Sequence, residues 1–408
     1  MSASTKSSAS YWEIVKTQYD KNRAAVWATR IMLLVFLLAT YAPVLAHNIP
    51  FTADVPEAKD GSPWLRSLLD PTSFKLDVDV FFNLLMGTLP IALLFWYATR
   101  RRLRRFLLTV WLIGHVGLFM YVLSMREELR QPVTNWPEVV READADAWFP
   151  PIRHHPEDRK SEYVLTGVFS EGELAPGAPE PPERPFFILG SDNLGNDVFT
   201  RLLYGTRISL TIGVVSVALY LLIGIFLGGL SGYFGSWIDE GLMFLAQVVM
   251  TIPALFLIMF VLSIVETPSI YHIMVVIAAL NWPTVMRLVR GEFLRQREID
   301  YVAAARALGL KDRRIIFRHI APNTLAPVLV AATFGVGIAI LIESSLAFLG
   351  LGDPSAPSWG QLLKVGFENS AKGRHLVWTS GCAIFFTVLI LNLIGEGLRD
   401  ALDPKLRK

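Results

Sequence analysis

Charge is scarce in this chain. Of its 408 residues only 18% are Asp, Glu, Lys or Arg, against about 25% in an ordinary soluble domain. Cysteine is almost missing too. The single thiol, Cys382, lies inside an apolar run, so no disulfide framework organises the fold. No CxxC or HExxH spacing occurs, which excludes the common zinc and metalloprotease patterns. No GxxxxGK[ST] loop occurs either, so nucleotide phosphates are not cradled in that way. Internal repeats are lacking as well.

What the chain has instead is uninterrupted hydrocarbon. Hydrophobic residues make up 52% of it, gathered in eight runs at roughly 31–48, 80–99, 106–125, 208–233, 241–265, 270–286, 323–348 and 376–395. Each is long enough to cross about 30 Å of membrane at about 1.5 Å per residue. Basic residues orient them. Lys16, Lys21, Arg23 and Arg30 precede the first run, and Arg100, Arg101, Arg102, Arg104 and Arg105 fill the turn between the second and third. A third cluster, from Arg287 to Arg318, lies between the sixth and seventh, and Arg399, Lys405, Arg407 and Lys408 come after the eighth. Alternation from a cytoplasmic N-terminus puts every cluster on the cytoplasmic side. The expected fold class is therefore an all-α polytopic membrane protein with about eight transmembrane helices and both termini in the cytoplasm.

Residues 1–30 read as a cytoplasmic segment. Trp12, Val15 and Tyr19 fall on one helical face with Lys16 on the other, as in a helix lying at the membrane interface. The run 31–48 reads as the first span. "VLAHN" at its end resembles a signal cleavage site, but the long segment before it favours an uncleaved helix. Residues 49–79 form an extracytoplasmic loop and 126–205 a longer one. The second is rich in proline and acid ("ELAPGAPEPPERP"), composition expected of an irregular cap without a core of its own.

The third basic cluster has more internal structure than topology requires. In "YVAAARALGLKDRRIIFRHIAPN" (301–323), good helix formers with small side chains end at Gly309. A second basic helix comes next with Ile315, Ile316 and Phe317 as apolar anchors, and Pro322 suits the first turn of the next span.

This stretch resembles the cytoplasmic loop of ABC importer permeases, whose pattern is EAA, three residues, Gly, nine residues, then IxLP. Ala303, Ala304 and Ala305 are followed by Arg306, Ala307 and Leu308, then Gly309, and "HIAP" closes at Pro322. Ala303 stands where the pattern has glutamate and Ala321 where it has leucine; Asp300, one turn upstream, is the acid available in exchange. "LGSDNLGNDVFTRLLYGTRISL" (189–210), "ESSLAFLGLGDPSAPSWGQLL" (343–363) and "NLIGEGLRDALDPKLRK" (392–408) resemble the second permease type of the dipeptide, oligopeptide and nickel importers.

The resemblance implies a type I ABC importer transmembrane domain over 206–398, with its cytoplasmic coupling loop at 287–322 and a cytoplasmic tail at 399–408. An extra helix pair, 80–125, departs from the usual six spans; being even in number, it preserves the orientation of every later span. The coupling residues would be Ala303, Ala304, Ala305, Arg306, Ala307, Gly309, Arg313, His319 and Pro322. The implied partners are two ABC ATP-binding subunits carrying ATP and magnesium, a second homologous permease, an extracytoplasmic substrate-binding protein, membrane lipid and a peptide-like substrate. A metal chelate or modified peptide is the alternative cargo. No catalytic residue, metal, cofactor or nucleic acid is expected on this chain, and the expected location is a bacterial inner membrane. A secondary transporter would need ionisable groups deep in its spans and inverted repeats, and a membrane enzyme would need a polar cluster at one face; neither pattern is present.

Single residues carry two readings each. Glu343 suits either a gate on the pathway or a hydrogen-bonded acid at the membrane boundary. Pro253 and Pro283 suit kinks that line the path or plain packing, with Ser, Thr or water taking up the freed carbonyls. His115 and His272 read as structural. Gly224, Gly228, Gly229 and Gly232 read as a close-packing face, with the partner permease as one candidate to fill it.

Overall fold

The computed structural model describes residues 11–58, 62–131, 134–172 and 184–403. Twelve helices define the architecture of the described residues: α1 (Tyr11–Lys21), α2 (Arg23–Thr40), α3 (Asp77–Ala98), α4 (Arg101–Ser124), α5 (Val198–Phe234), α6 (Ser236–Thr251), α7 (Ala254–Ser263), α8 (Ile270–Arg297), α9 (Asp300–Ala307), α10 (Asp312–Phe348), α11 (Trp359–Glu368) and α12 (Arg374–Leu402). Seven of them are long and apolar enough to cross a membrane, and an eighth span arises if the bent pair α6 and α7 counts as one. The strands are short. β1 (Thr52–Ala53) pairs antiparallel with β2 (Ala147–Trp148), and β3 (Ser170–Glu171) with β4 (Phe186–Phe187). The all-α membrane fold expected from the hydrophobic runs is what forms.

Several boundaries differ from the expected ones. The first span runs over Arg23–Thr40 rather than 31–48, because the basic flank continues the helix upstream and a separate short turn, Ala42–Leu45, opens around Pro43. The run 241–265 is not one straight span. Pro253 has no N–H and drives the residue before it out of the helical region; Ile252 is extended at φ −90°, ψ 130°, and α6 and α7 meet at 78°. Pro283 behaves otherwise, lying buried inside an α8 that is continuous from end to end.

The chain divides into two compact units. One holds the residues up to Leu33, Ile212–Gly352, and those from Ile384 onward. Here α1 does form, but its face is not left for lipid. Val15 is buried with Ala401 and Leu402, and Tyr19, Ala326, Val330 and Leu398 pack around them. Gly397 admits the approach, since a Cβ there would lie 2.2 Å from that of Ala25. Val15 and Tyr19, two residues of the face expected to lie at the membrane interface, thus pack against protein within this unit. The side chain of Trp12, and residues 404–408 of the tail, lie outside the described residues.

The other unit comprises Leu34–Thr211 and Asp353–Ala383. Its long loops, expected to lack a core, have one. Ala42, Ala46, Leu68, Phe74, Met86, Leu203 and Tyr204 form one buried cluster, with Trp64, Ile152 and Phe199 against it. A second joins Val198, Leu362 and Leu376. The proline-rich 173–183 lies outside the described residues; the core is built from the aromatic residues on either side of it.

At the heart of this unit is Arg207, fully buried. Its Nη1 donates to Asp79 Oδ1 at 2.9 Å, its Nε to the Ala39 carbonyl at 2.7 Å and its Nη2 to the Thr40 carbonyl at 3.2 Å. The rings of Tyr204 and Phe82 lie 4.9 and 5.4 Å from the guanidinium carbon. The arginine therefore joins the end of α2, the start of α3 and the third turn of α5. Such a burial is tolerated because the charge is paired and nearly all its donors are used. The extra helix pair is rooted here at α3, while α4 is held to α3 by Trp111 Nε1 donating to the Thr88 carbonyl at 2.9 Å and by the contact between Thr88 and His115 at 3.0 Å.

Nearby, the His47 and His155 rings meet edge-on at 5.1 Å, both against Phe74, and the Tyr204 hydroxyl donates to the Ala46 carbonyl at 3.0 Å. His154 stacks on Phe187 and faces Lys160. Burial lowers the pKa of His155 to about 3, with Lys75 adding to it, and that of His154 to about 3, with Lys160 adding. Burial also holds His47 well below the usual value, helped by His155 and Arg207.

These groups set two expected outcomes. Replacing Arg207 by leucine leaves the Asp79 carboxylate buried and uncompensated, so stability should fall by about 3–5 kcal/mol; pairing Arg207→Leu with Asp79→Leu should restore much of it in thermal unfolding of the purified protein. Secondly, a histidine whose folded pKa lies below its unfolded value near about 6.5 leaves the unfolded chain binding more protons as pH drops. Stability should be full above about 6.5 and decline from there toward about 3, and His155→Phe should flatten that decline. An unfolding midpoint that does not move between neutral and mildly acidic pH would show these imidazoles to be solvated.

Candidate functional site: the loop between α8 and α10

The site is built in the first unit, and it starts with glycines. A Cβ on Gly224 would lie 2.6 Å from that of Val285, on Gly228 2.5 Å from the Met286 carbonyl, and on Gly232 2.7 Å from the Arg290 carbonyl; Gly229 faces the Phe293 ring at 3.2 Å. Only a face without side chains lets α8 come this near to α5. The stripe is thus filled by the chain's own α8, not by a partner.

This contact delivers the ends of α5 and α8 to one place. α5 stops at Phe234, and Gly235 at φ +65° turns the chain into α6. Asp239, in the first turn of α6, accepts from Arg290 Nε and Nη2, both at 2.5 Å, and from the Ser231 hydroxyl. The two-pronged guanidinium contact fixes orientation as well as distance. Arg297 Nη1 donates to the Tyr233 carbonyl at 3.2 Å. The Tyr233 hydroxyl donates to Asp312 at the start of α10, and its ring lies 5.4 Å from the Arg306 guanidinium of α9. Four helices therefore meet at Tyr233, and α6 is tied to two of them through Asp239.

On that footing α9 turns one face inward and one out. Val302 and Ala305 are buried, while Asp300, Ala303, Ala304, Arg306 and Ala307 are exposed. Positions 300, 303, 304 and 307 share a face, so the outward surface is an acid and three methyl groups. The helix ends at Gly309, φ +75°. Its N–H donates to the Arg306 carbonyl at 2.9 Å and that of Leu310 to the Ala305 carbonyl at 3.2 Å, the paired bonds of a glycine C-cap. Nothing lies within 4 Å of where a Gly309 Cβ would be. Glycine is needed here for its backbone, not for room.

The second half of the loop is not a separate helix. Asp312–Phe348 is continuous, with a π-helical segment at Ile316–Ile320 that leads directly into Ala321 and Pro322. A wider turn relieves the clash that the Pro322 ring would have with the preceding turn of a plain α-helix. The His319 carbonyl accepts from Asn323 Nδ2 at 2.9 Å. Ile315 and Ile320 are buried, but Phe317, expected as an anchor, is 66% exposed beside Lys311, Arg313 and Arg314, with which it lines a shallow hollow.

The coupling residues expected from the sequence thus come together. The three pathway candidates do not join them. Glu343 is buried on α10 with the Ser344 hydroxyl 3.4 Å from its carboxylate, about 31 Å beyond Pro322 along the helix at about 1.5 Å per residue. Pro253 caps α7, and Pro283 lies mid-way along α8. His115 meets Thr88 between α3 and α4, and His272 reaches back to Ser269 at the start of α8. Sequence reasoning misses Tyr233, Asp239 and Arg290. Their signal is an acid placed just inside an apolar run, opposite a basic stretch of matching depth.

Residues 221–408 match the family described as binding-protein-dependent transport system inner membrane component. The chain is 41% identical over 219 residues to a dipeptide transport system permease protein of Alkalihalophilus pseudofirmus, covering 53% of this chain and 72% of that one. The chain belongs to this family of transport permeases. A glutathione transport system permease protein of Pectobacterium atrosepticum is 40% identical over 54% of this chain and 73% of its own. An oligopeptide transport system permease protein of Bacillus subtilis is 37% identical over 57% and 75%. Among solved structures, a chain of the MetNI methionine ABC transporter in an inward-facing conformation matches 50% of this chain and 96% of its own, with 19% identity and a TM-score of 0.41. The protein is accordingly a multi-pass membrane component of a binding-protein-dependent importer, and it forms the pathway rather than performing chemistry on the solute.

Because the seam between α5 and α8 is backbone to side chain, Gly228→Val should overpack it by about 1–3 kcal/mol or more and lower the yield of folded protein. Gly241, with nothing within 4 Å of a Cβ, should accept alanine without loss. Equal yields of Gly228→Val and wild type in detergent would mean that the two helices can separate freely.

Proposed function

We propose that residues 287–322 are the coupling loop of this permease, docked by an ATP-binding subunit on the cytoplasmic side, and that the solutes carried are peptides or related molecules. The observation that carries this is the exposed face of α9, small and nearly featureless, on a base fixed by Tyr233, Asp239, Arg290 and Arg306. A partner can seat closely on methyl groups, and the fixed base passes its movement to α8 and α10. Leu308, 81% exposed beside that face, offers an apolar contact, and Arg313 a charged one. Asp300 supplies the acid that Ala303 lacks.

The lengths suit this role. α10 spans 37 residues, about 55 Å, against about 30 Å of hydrocarbon. Its basic end therefore extends beyond the membrane as a stem continuous with the span. The basic clusters favour the cytoplasm for that stem and for both termini. In the proposed machine, two ATP-binding subunits holding ATP and magnesium close on each other and swing the loops of this chain and of a second homologous permease. The spans then open toward a loaded substrate-binding protein outside, and hydrolysis returns them. The core is 206–398, with 80–125 as an added pair. Relatives named for dipeptide, oligopeptide and glutathione transport support the peptide class.

The turn at Gly309 gives the test. A β-branched residue is disfavoured in the left-handed region by about 1–2 kcal/mol, while asparagine tolerates it. Gly309→Val should reach the membrane in normal amount but lose at least about tenfold in ATP-driven peptide uptake by reconstituted vesicles; Gly309→Asn should keep most of it. Undiminished uptake by the valine variant would remove the docking role.

A further inference from the structure

The turn between α3 and α4 lies outside the transport core and has a charge that nothing in the pair balances. Arg100, Arg101, Arg102, Arg104 and Arg105 fall within six residues, and from residue 80 to residue 126 there is no Asp or Glu. The nearest acids, Asp79 and Glu127, belong to the far end of both helices, about 30 Å away along a membrane-length helix. α4 also begins with no acidic residue in its first turn and no side-chain cap, so the positive end of its dipole faces the same arginines. This combination is unfavourable unless an anion is present.

The surroundings say which anion. α3 ends at Ala98 and α4 starts at Arg101, so the turn is as short as a hairpin of two helices allows. Exposed apolar side chains run up to it on both arms: Leu93, Leu94, Trp96 and Tyr97 on α3, and Leu103 and Phe106 on α4. Two membrane-length helices with lipid-facing surfaces thus end in a tight basic tip, framed by the Trp and Tyr that favour the headgroup level. One arginine is already committed. Arg104 lies over the Trp96 ring at 4.2 Å and donates to the Trp96 carbonyl at 3.4 Å, closing the end of α3. Arg100 and Arg105 are exposed, each with a planar fork suited to phosphate oxygens.

We propose that this tip is a binding site for the phosphate headgroup of an anionic phospholipid, with Arg100 and Arg105 as its donors and Trp96 and Tyr97 against the upper acyl chain. A soluble acidic protein would meet the arginines but not the apolar rows beside them. A diacyl lipid meets both at once. The site requires only that the pair crosses the membrane, and it is independent of what the core transports.

The test uses the full chain with Cys382→Ser and a bimane fluorophore on Thr99→Cys, in vesicles of phosphatidylcholine doped with brominated phosphatidylglycerol or, as control, brominated phosphatidylcholine. At about 1 kcal/mol for each of the two basic donors near such headgroups, quenching should favour the anionic lipid by about thirtyfold. Arg100→Gln with Arg105→Gln should bring that preference close to parity, whereas the double lysine variant should retain a measurable part of it. Three arginines remain in the glutamine variant to hold the orientation of the pair, and reaction of the unlabelled thiol introduced at position 99 with an impermeant maleimide in sealed vesicles checks it. Equal quenching by the two lipids in the parent protein, or a full preference surviving in the glutamine variant, would overturn the assignment.

Discussion

The distance between α5 and α8 is the constraint on which the loop depends. From Gly224 to Gly232, side chains and carbonyls of α8 occupy the positions where Cβ atoms of α5 would be. Neither helix can rotate far without a side chain meeting backbone. That contact sets where α8 ends, and hence where Arg290 meets Asp239 and Arg297 meets Tyr233. The polar contacts hold the loop in position, but the glycines decide which polar groups are near enough to bond. Individual ion pairs at partly exposed sites contribute modestly; a packed seam contributes over its whole length.

The added segment between the first span and the core obeys a different logic. There a charge does the organising. Arg207 sits among carbonyls of α2, a carboxylate of α3 and two aromatic rings, and each of those elements would leave a buried group unsatisfied if it moved away. α3 is bound into the unit by this and by Arg126, which reaches Asp77 and the Phe74 carbonyl. α4 has fewer ties and a mostly outward-facing surface. The pair is therefore one rooted helix carrying one that faces the surroundings.

Much of this is legible in the sequence, for reasons that can be named. Long apolar runs have one outcome in a membrane, since every backbone group must be bonded within the segment, so the number and type of the spans can be read directly. Gly309 and Pro322 are legible because each has a backbone property that no other residue shares. The partner of Arg207 is not, because Asp79 lies 128 residues away and its pairing depends on which helices become neighbours. The same holds for Val15, whose apolar face suits lipid and protein equally well by period alone. The core of the long loops is hidden by their composition: proline and acid catch the eye, while Phe74, Phe187 and Tyr204 do the packing. The 78° break at Pro253 is legible as a site but not as an angle, which the flanking packing sets.

The π-helical segment at Ile316–Ile320 gives the spacing of the loop another meaning. On a plain α-helix, Ile315 and Ile320 would point about 140° apart, yet both are fully buried. The wider turn brings them to the same side and shifts the angular phase of the rest of α10. The nine residues after Gly309 are therefore less a length than a rotation. They set the azimuth at which the exposed face of α9 stands relative to the length of α10, and a single insertion or deletion there would leave both helices intact while turning one of them away from the other.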